Sequence, residues 1–431
     1  MAPLAPPGQG RGGWILSELS NDSGGPALRR SITTLPLALY GIGVTVGAGI
    51  YVLVGEVAAN AGAAAPLSFL LAALVIAPTA YSYCELSARF PRAAGEAVYV
   101  GAAFSSLFMV RLAGLLVAAA GVVSSAAVAI GAAGYLRSFI DLPPLMLALA
   151  IVLALGAVAA WGVVQSVAFA IAVSLFEVGA LVWIIAIAVP EISAPWAALH
   201  ASWPGLAAAP WLGVGSGLLL AFFAFVGFED IVNMAEEVKR PERALPAAIG
   251  LTLLATTVLY LAIAFVAVAT IGAPGLAGQE APLAHLYARL TGGDPALISA
   301  IAVASTLNTI LIQIVMATRV LYGLSREGAL PEPLGRVSPL TRTPLLATGL
   351  VLVVVIVLAV AAPISVLARA TSAMVLFVFI LVNLALLRLK LAGAPPPVST
   401  PSFTVPLAVP VVGAALSGLV FAFEVVRLLM S

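Results

Sequence analysis

Eleven stretches of about 20 predominantly apolar residues follow one another through this chain, parted by short polar breaks. They run over 32–58, 64–87, 107–135, 143–161, 163–189, 211–235, 246–271, 295–323, 344–361, 364–388 and 405–428. About 20 such residues, wound as a helix, just cross the hydrocarbon core of a bilayer. Lipid offers nothing to an open N–H or C=O, so each run is expected to close its hydrogen bonds within itself. The glycines and prolines inside the runs do not oppose this, since membrane helices tolerate both. The fold class is therefore all-α integral membrane.

Composition narrows the function from the other side. Hydrophobic residues make up 62% of the chain and charged ones 9%, against about 25% charged in soluble domains. An ordinary soluble enzyme, a disordered chain and a nucleic-acid binder are all excluded. The net charge of +1 gives no field to draw in a polyanion. With Cys84 alone, no intrachain disulfide forms, and His200 and His285 are isolated, so no metal cluster is expected. Lys239 is followed by Arg240 and Lys390 by Leu391, so there is no phosphate-binding loop. No cofactor is expected, and a membrane-embedded enzyme lacks its catalytic constellation.

Residues 1–30, rich in Pro, Gly and Ser, read as a flexible cytoplasmic tail, and 31–431 as one transmembrane domain. Ala392 to Pro401 reads as a linker within it. With the N-terminus inside, the cytoplasmic side of the cell membrane receives Arg11, Arg29, Arg30, Arg89, Arg92, Arg111, Lys239, Arg240, Arg243, Arg319, Arg326, Arg336, Arg342, Arg388 and Lys390. The outside receives Arg137, Arg289 and Arg427, with Arg369 near the outer end of the tenth span. That asymmetry obeys the positive-inside rule.

Polar sites in membranes gather where helices are interrupted. The first span carries GIGVTVGAGIY, Gly41 to Tyr51. Unwinding at Gly47-Ala48-Gly49 would free N–H groups for a carboxylate, whereas close packing through small residues would keep the helix whole. The sixth span carries Gly227 among Phe223, Phe225 and Phe228, followed by Glu229 and Asp230. A break near Val226-Gly227 would leave free carbonyls for an ammonium group. Glu229 and Asp230 are either functional or solvated at the cytoplasmic mouth. Breaks in the first and sixth spans are what two inverted repeats of five helices would show. Together they would grip a zwitterion.

Four segments in order then resemble one family. They are GIGVTVGAGIYVLVG, ELSARFPRAAGEAVYV at 85–100, FFAFVGFEDIVNMAEEVKRPERALP, and RVLYGLSREGALPEPLGRV from Arg319 to Val337. The chain resembles the amino acid–polyamine–organocation superfamily of secondary transporters, from about residue 30 to residue 425. The resemblance implies a LeuT-like 5+5 inverted-repeat fold, helices 1–5 and 6–10 plus a C-terminal helix, and alternating access for an amino acid or related amine. It implies a carboxylate site at Thr45, Val46, Gly47, Ala48, Gly49 and Ile50, and an amine site at the carbonyls near Phe222, Phe223 and Phe225 beside Gly227. Phe223 matches a gating aromatic and Glu229 an acid linked in some relatives to gating or pH response. Helices 1, 2, 6 and 7 would rock against 3, 4, 8 and 9. Twelve spans are common in the superfamily, where this chain has eleven.

Glu177 lies mid-span, with no basic residue within ten positions. Desolvation disfavours its charged form. It is either a structural acid bonded to a neighbouring helix or the group that loads and releases a proton. Where some proton-coupled relatives carry a lysine, this chain carries that acid. Ser305, Thr306, Asn308 and Thr309 of the eighth span are its potential partners, and there a residual sodium site competes with proton coupling. The expected activity is proton-coupled uptake of an amino acid, with an antiporter, an organic-amine transporter and a non-transporting sensor as rivals, in a monomer or homodimer. Aromatics and small residues favour a neutral substrate, while Glu229 keeps a cationic one in play. Glu85 and Arg89 read as a local pair, Glu236 to Arg243 as a charge cluster, Arg369 as an outer-gate or snorkelling residue, and both histidines as loop residues.

Overall fold

The computed structural model describes residues 30–91, 95–162, 167–326, 328, 330–393 and 403–430. The tail to residue 29, Arg92, the start of the fifth run and most of the linker lie outside the described residues, as do the side chains of Ala48 and Glu236. The helices are α1 (Thr34–Ala61), α2 (Ala65–Arg89), α3 (Gly95–Phe104), α4 (Leu107–Leu136), α5 (Pro144–Trp161), α6 (Val167–Ala188), α7 (Pro195–Ala201), α8 (Ala208–Phe225), α9 (Pro241–Leu276), α10 (Pro282–Thr291), α11 (Ala296–Arg326), α12 (Leu345–Ala361), α13 (Ile364–Leu391) and α14 (Ala408–Met430). Apart from the short α3, α7 and α10, each helix falls on one of the eleven apolar runs. Among the described residues, nine segments are long and apolar enough to cross a membrane, including Gly49–Arg89, which takes in the end of α1 with α2; Thr34–Gly47 and Leu345–Ala361 are shorter. His200 lies on α7 and His285 on α10, so both stand on short helices rather than in loops.

The packing pairs the two halves of the bundle. α1 packs on α8, α2 on α9, α4 on α11 and α5 on α12. Each of these long helices therefore meets its counterpart five spans later. Contacts of α1 and α2 with α8 and α9 knit one group of four. Contacts among α4, α5, α11 and α12 knit a second. α14 lies outside both, against α13 and α2.

The first span is not interrupted. α1 runs as one helix through Gly47-Ala48-Gly49, so the expected unwinding there is corrected. The reason lies in what each glycine faces. A Cβ on Gly41 would meet Ile231 and Thr252, one on Gly43 would meet Ser174, one on Gly47 would meet Thr309, and one on Gly49 would meet the backbone of Ala224. Four glycines let five neighbouring segments approach the α1 backbone, the small-residue packing that membrane helices use in place of a hydrophobic driving force.

The sixth span is interrupted where expected. α8 ends at Phe225, Val226 is extended (φ −62°, ψ 129°) and Gly227 has φ +123°. A 3₁₀ turn over Phe228–Glu237 follows. Only glycine adopts that φ without strain. Where this segment leaves the bundle it pairs with the residues ahead of α1. Ser31 and Ile32 donate to the Glu237 carbonyl at 2.9 and 3.1 Å, and Lys239 donates to that of Ile32 at 2.8 Å. The entry to the first span and the exit of the sixth are thus tied by backbone, at what we call the N-side of the bundle.

Two buried ionic clusters join distant helices. On the N-side, Glu85 is fully buried and does more than the local pairing with Arg89 (Nε, 2.9 Å). It also takes Lys390 of α13 at 2.8 Å and the Val405 N–H ahead of α14 at 2.8 Å. At the opposite end Arg369 of α13 bonds Asn60 of α1 at 3.0 Å and lies 3.7 Å from Glu424 of α14. Arg369 is only 9% exposed, so it does not snorkel to the surface.

Candidate functional site

The break in the sixth span lies against the middle of α1. Gly49 meets Ala224, and a Cβ on Gly227 would come within 3.1 Å of Val44. Tyr260, midway along α9 and fully buried, sits over this seam. Its hydroxyl oxygen lies 2.8 Å from the Thr45 carbonyl and 2.8 Å from the Ala224 carbonyl. A hydroxyl has one proton to donate; Thr45 lies inside α1, where its carbonyl has the helix's own N–H, whereas Ala224 is in the last turn of α8, where carbonyls lack one. Phe225 stacks edge-on to the Tyr260 ring at 4.9 Å, and Phe222 to Phe379 of α13 at 5.7 Å. The Phe223 carbonyl takes the Val226 N–H at 3.1 Å, which closes the end of α8.

The first-span residues are buried at the same level. Thr45 turns its hydroxyl back to the Gly41 carbonyl at 2.8 Å and presents its own carbonyl to Tyr260. Val46 and Ile50 have no exposed surface. Gly47 offers its carbonyl to Ser305 of α11 at 2.6 Å. Gly49 and Gly227 each meet the facing segment across the seam by close packing, Thr45 reaches it through Tyr260, and Phe222 turns to Phe379 of α13.

Glu177 on α6 reaches the same level from the other side. Its backbone carbonyl accepts the Tyr51 hydroxyl of α1 at 2.9 Å. Its carboxyl is fully buried, and among the described residues no side chain completes a well-formed hydrogen bond to it, although Ser305 stands beside it. Ser305, the side chain beside it, is committed to Gly47. Of the other eighth-span residues, Thr306 bonds its own helix at Ala302 (2.8 Å) and does not face Glu177 through its hydroxyl. Asn308 is 4% exposed with its Oδ1 unpartnered. Thr309 donates to the Ser305 carbonyl at 3.3 Å while facing Gly47.

Asp230 is buried and Glu229 half-buried. They stand one turn below the break, on the wall of a cavity of about 30 Å³. Tyr83, Glu96, Gly121, Gln313 and Phe379 also line it. Glu229 accepts the Gly227 N–H at 2.9 Å and so braces the break itself. Glu96 on α3 accepts the Tyr83 hydroxyl at 3.1 Å. Burial raises its carboxyl above the usual carboxylate range, and the Tyr83 bond pulls the other way. Tyr260 and Glu96 were missed in the sequence. A tyrosine in the middle of an apolar run was the available signal for the first. For Glu96 there was none, because its segment reads as an ordinary loop between spans.

A bundle with an interrupted helix at its centre, buried carbonyls and a buried acid suits a membrane transporter. The comparisons agree. The amino acid permease profile matches residues 32–429, and the chain belongs to that family. The branched-chain amino acid permease BcaP of Bacillus subtilis is 29% identical over 344 residues, covering 76% of this chain and 73% of that one. Cationic amino acid transporter 9 of Arabidopsis thaliana, a chloroplastic protein, is 32% identical over 73% of this chain and 58% of its own length. The methylthioribose transporter of B. subtilis is 28% identical, over 78% and 76%. The chain is a multi-pass membrane permease of the amino acid type.

Proposed function

We propose that this permease accumulates an amino acid by proton-coupled alternating access, with Glu177 as the coupling group. The observation that carries this is the Glu177 carboxyl, fully buried, without a well-formed hydrogen bond among the described residues, beside the seam where Ser305 of α11 meets α1. A buried acid with no counter-ion is stable only when neutral. Opening the seam to one aqueous face at a time lets it exchange its proton with that face. Ser305 bonds the Gly47 carbonyl and abuts Glu177, which links the acid to the substrate seam.

In this reading the carbonyls of Phe222, Phe223 and Phe225 receive the substrate amine, and the Thr45–Ile50 segment meets the carboxylate once the two groups of helices part. The pairing of each helix with its counterpart five spans later supports a LeuT-like 5+5 inverted repeat. The group α1, α2, α8 and α9 rocks against α4, α5, α11 and α12. The arginine-rich N-side faces the cytoplasm, in keeping with the positive-inside rule, and the membrane is the cytoplasmic one. Protons, rather than sodium, are the coupling ion, and Asn308 and Thr309 line the path to Glu177.

The test is uptake of radiolabelled amino acids into proteoliposomes in sodium-free buffer, with and without an inward proton gradient. Gradient-stimulated accumulation supports the proposal. Uptake that needs internal substrate and ignores the gradient makes the protein an exchanger instead.

A further inference from the structure

Three carboxyl groups, Glu96, Glu229 and Asp230, line one small cavity, and no basic side chain lines it. They come from two separate segments, α3 and the turn after the sixth-span break. Glu96 is held by Tyr83 and Glu229 by the Gly227 N–H. Asp230 is 5% exposed and its Oδ2 has no partner. Acids do not gather in an apolar interior without a cation or a proton to offset them. The cavity has about 30 Å³ of room. That accepts one or two water-sized groups, and a primary ammonium head is of that size.

Position supplies the rest. Val226, also on the cavity wall, adjoins Phe225 and lies two residues from the Ala224 carbonyl at Tyr260. A substrate whose α-amino group sits at the carbonyls of Phe222, Phe223 and Phe225 would reach the acids by running its side chain along Val226. The geometry points to a subsite for the terminal ammonium of a lysine-type amino acid, formed by Asp230, Glu229 and Glu96. This rests on the amino acid transport reading and goes further, since it names a cationic side chain as the preferred substrate.

The test compares L-lysine with L-norleucine, which has the same straight side chain without the ammonium. Binding is titrated to the purified full chain in nanodiscs, in choline chloride buffer at neutral pH. We expect lysine to bind about tenfold or more tightly than norleucine, a difference of roughly 1.4 kcal/mol. Asp230→Asn removes most of that preference and leaves norleucine affinity within about twofold of the wild type. Glu96→Gln, the second variant, lowers the lysine preference in the same direction. Equal binding of the two amino acids by the wild type overturns the inference while leaving amino acid transport intact. So does a loss of both affinities alike in Asp230→Asn. Sodium chloride in place of choline, raising norleucine affinity through Asp230, assigns the cavity to an inorganic cation and overturns it too. Binding of neither amino acid at millimolar concentration instead counts against the transport reading beneath it.

Discussion

Tyr260 has one proton and two carbonyls within 2.8 Å, so it ties α1 to α8 through whichever it serves. Tyr260→Phe takes the hydroxyl from the Ala224 carbonyl in the last turn of α8, and a buried group left without its partner costs about 1–3 kcal/mol. The variant is expected to unfold at lower temperature in detergent and to transport more slowly. A variant with unchanged stability and rate would mean the bridge is idle. Gly227 is the second residue on which the seam depends. Its φ of +123° is strained for any residue with a Cβ, by about 1–3 kcal/mol, and a Cβ there meets Val44. Gly227→Ala is expected to lower the unfolding temperature and reduce uptake. Wild-type behaviour would show that the break needs no glycine. Gly227 was legible in the sequence because a glycine among aromatics, followed by two acids, makes a poor continuous helix. Asp230 was legible as an acid but not as a buried one, because its neighbours Glu96 and Tyr83 arrive from segments more than a hundred residues earlier.

Among the elements, the spans were the easiest to read and their interruptions the hardest. Lipid forces about 20 apolar residues per crossing, so the runs announce the helices directly. The glycines of α1 carry two meanings that the sequence does not separate. They can weaken a helix or admit a neighbour, and the answer depends on whether Ser174, Thr309 and Ala224 stand opposite. They do, and α1 stays whole. The same limit hid the anchor at Glu85. Arg89 is four residues away and visible, whereas the Val405 partner is 320 residues away. That anchor fixes the segment leading into α14 to the ends of α2 and α13. Removing one partner of a buried ion pair costs about 3–5 kcal/mol. Glu85→Gln is therefore expected to lower the unfolding temperature clearly. Lys390→Met added to it should recover part of the loss, because the stranded ammonium goes with it. Additive damage in the double variant would show that the two side chains do not depend on each other.

For the whole molecule, two groups of four helices meet along a second seam, where Ser305 of α11 bonds the Gly47 carbonyl of α1 with Glu177 beside it. Such a seam can open to one face or the other while each group stays packed. Binding energy and proton exchange then act on the same contact, which is what coupling requires. The central claim is that Glu177 carries the proton and the seam carries the substrate. The measurement is transport by Glu177→Gln in proteoliposomes, read both as proton-gradient-driven accumulation and as exchange of internal for external amino acid. The account predicts that accumulation is lost while exchange persists, since a permanently neutral side chain still permits the loaded carrier to turn over. Gradient-driven accumulation by Glu177→Gln at the wild-type level would contradict it.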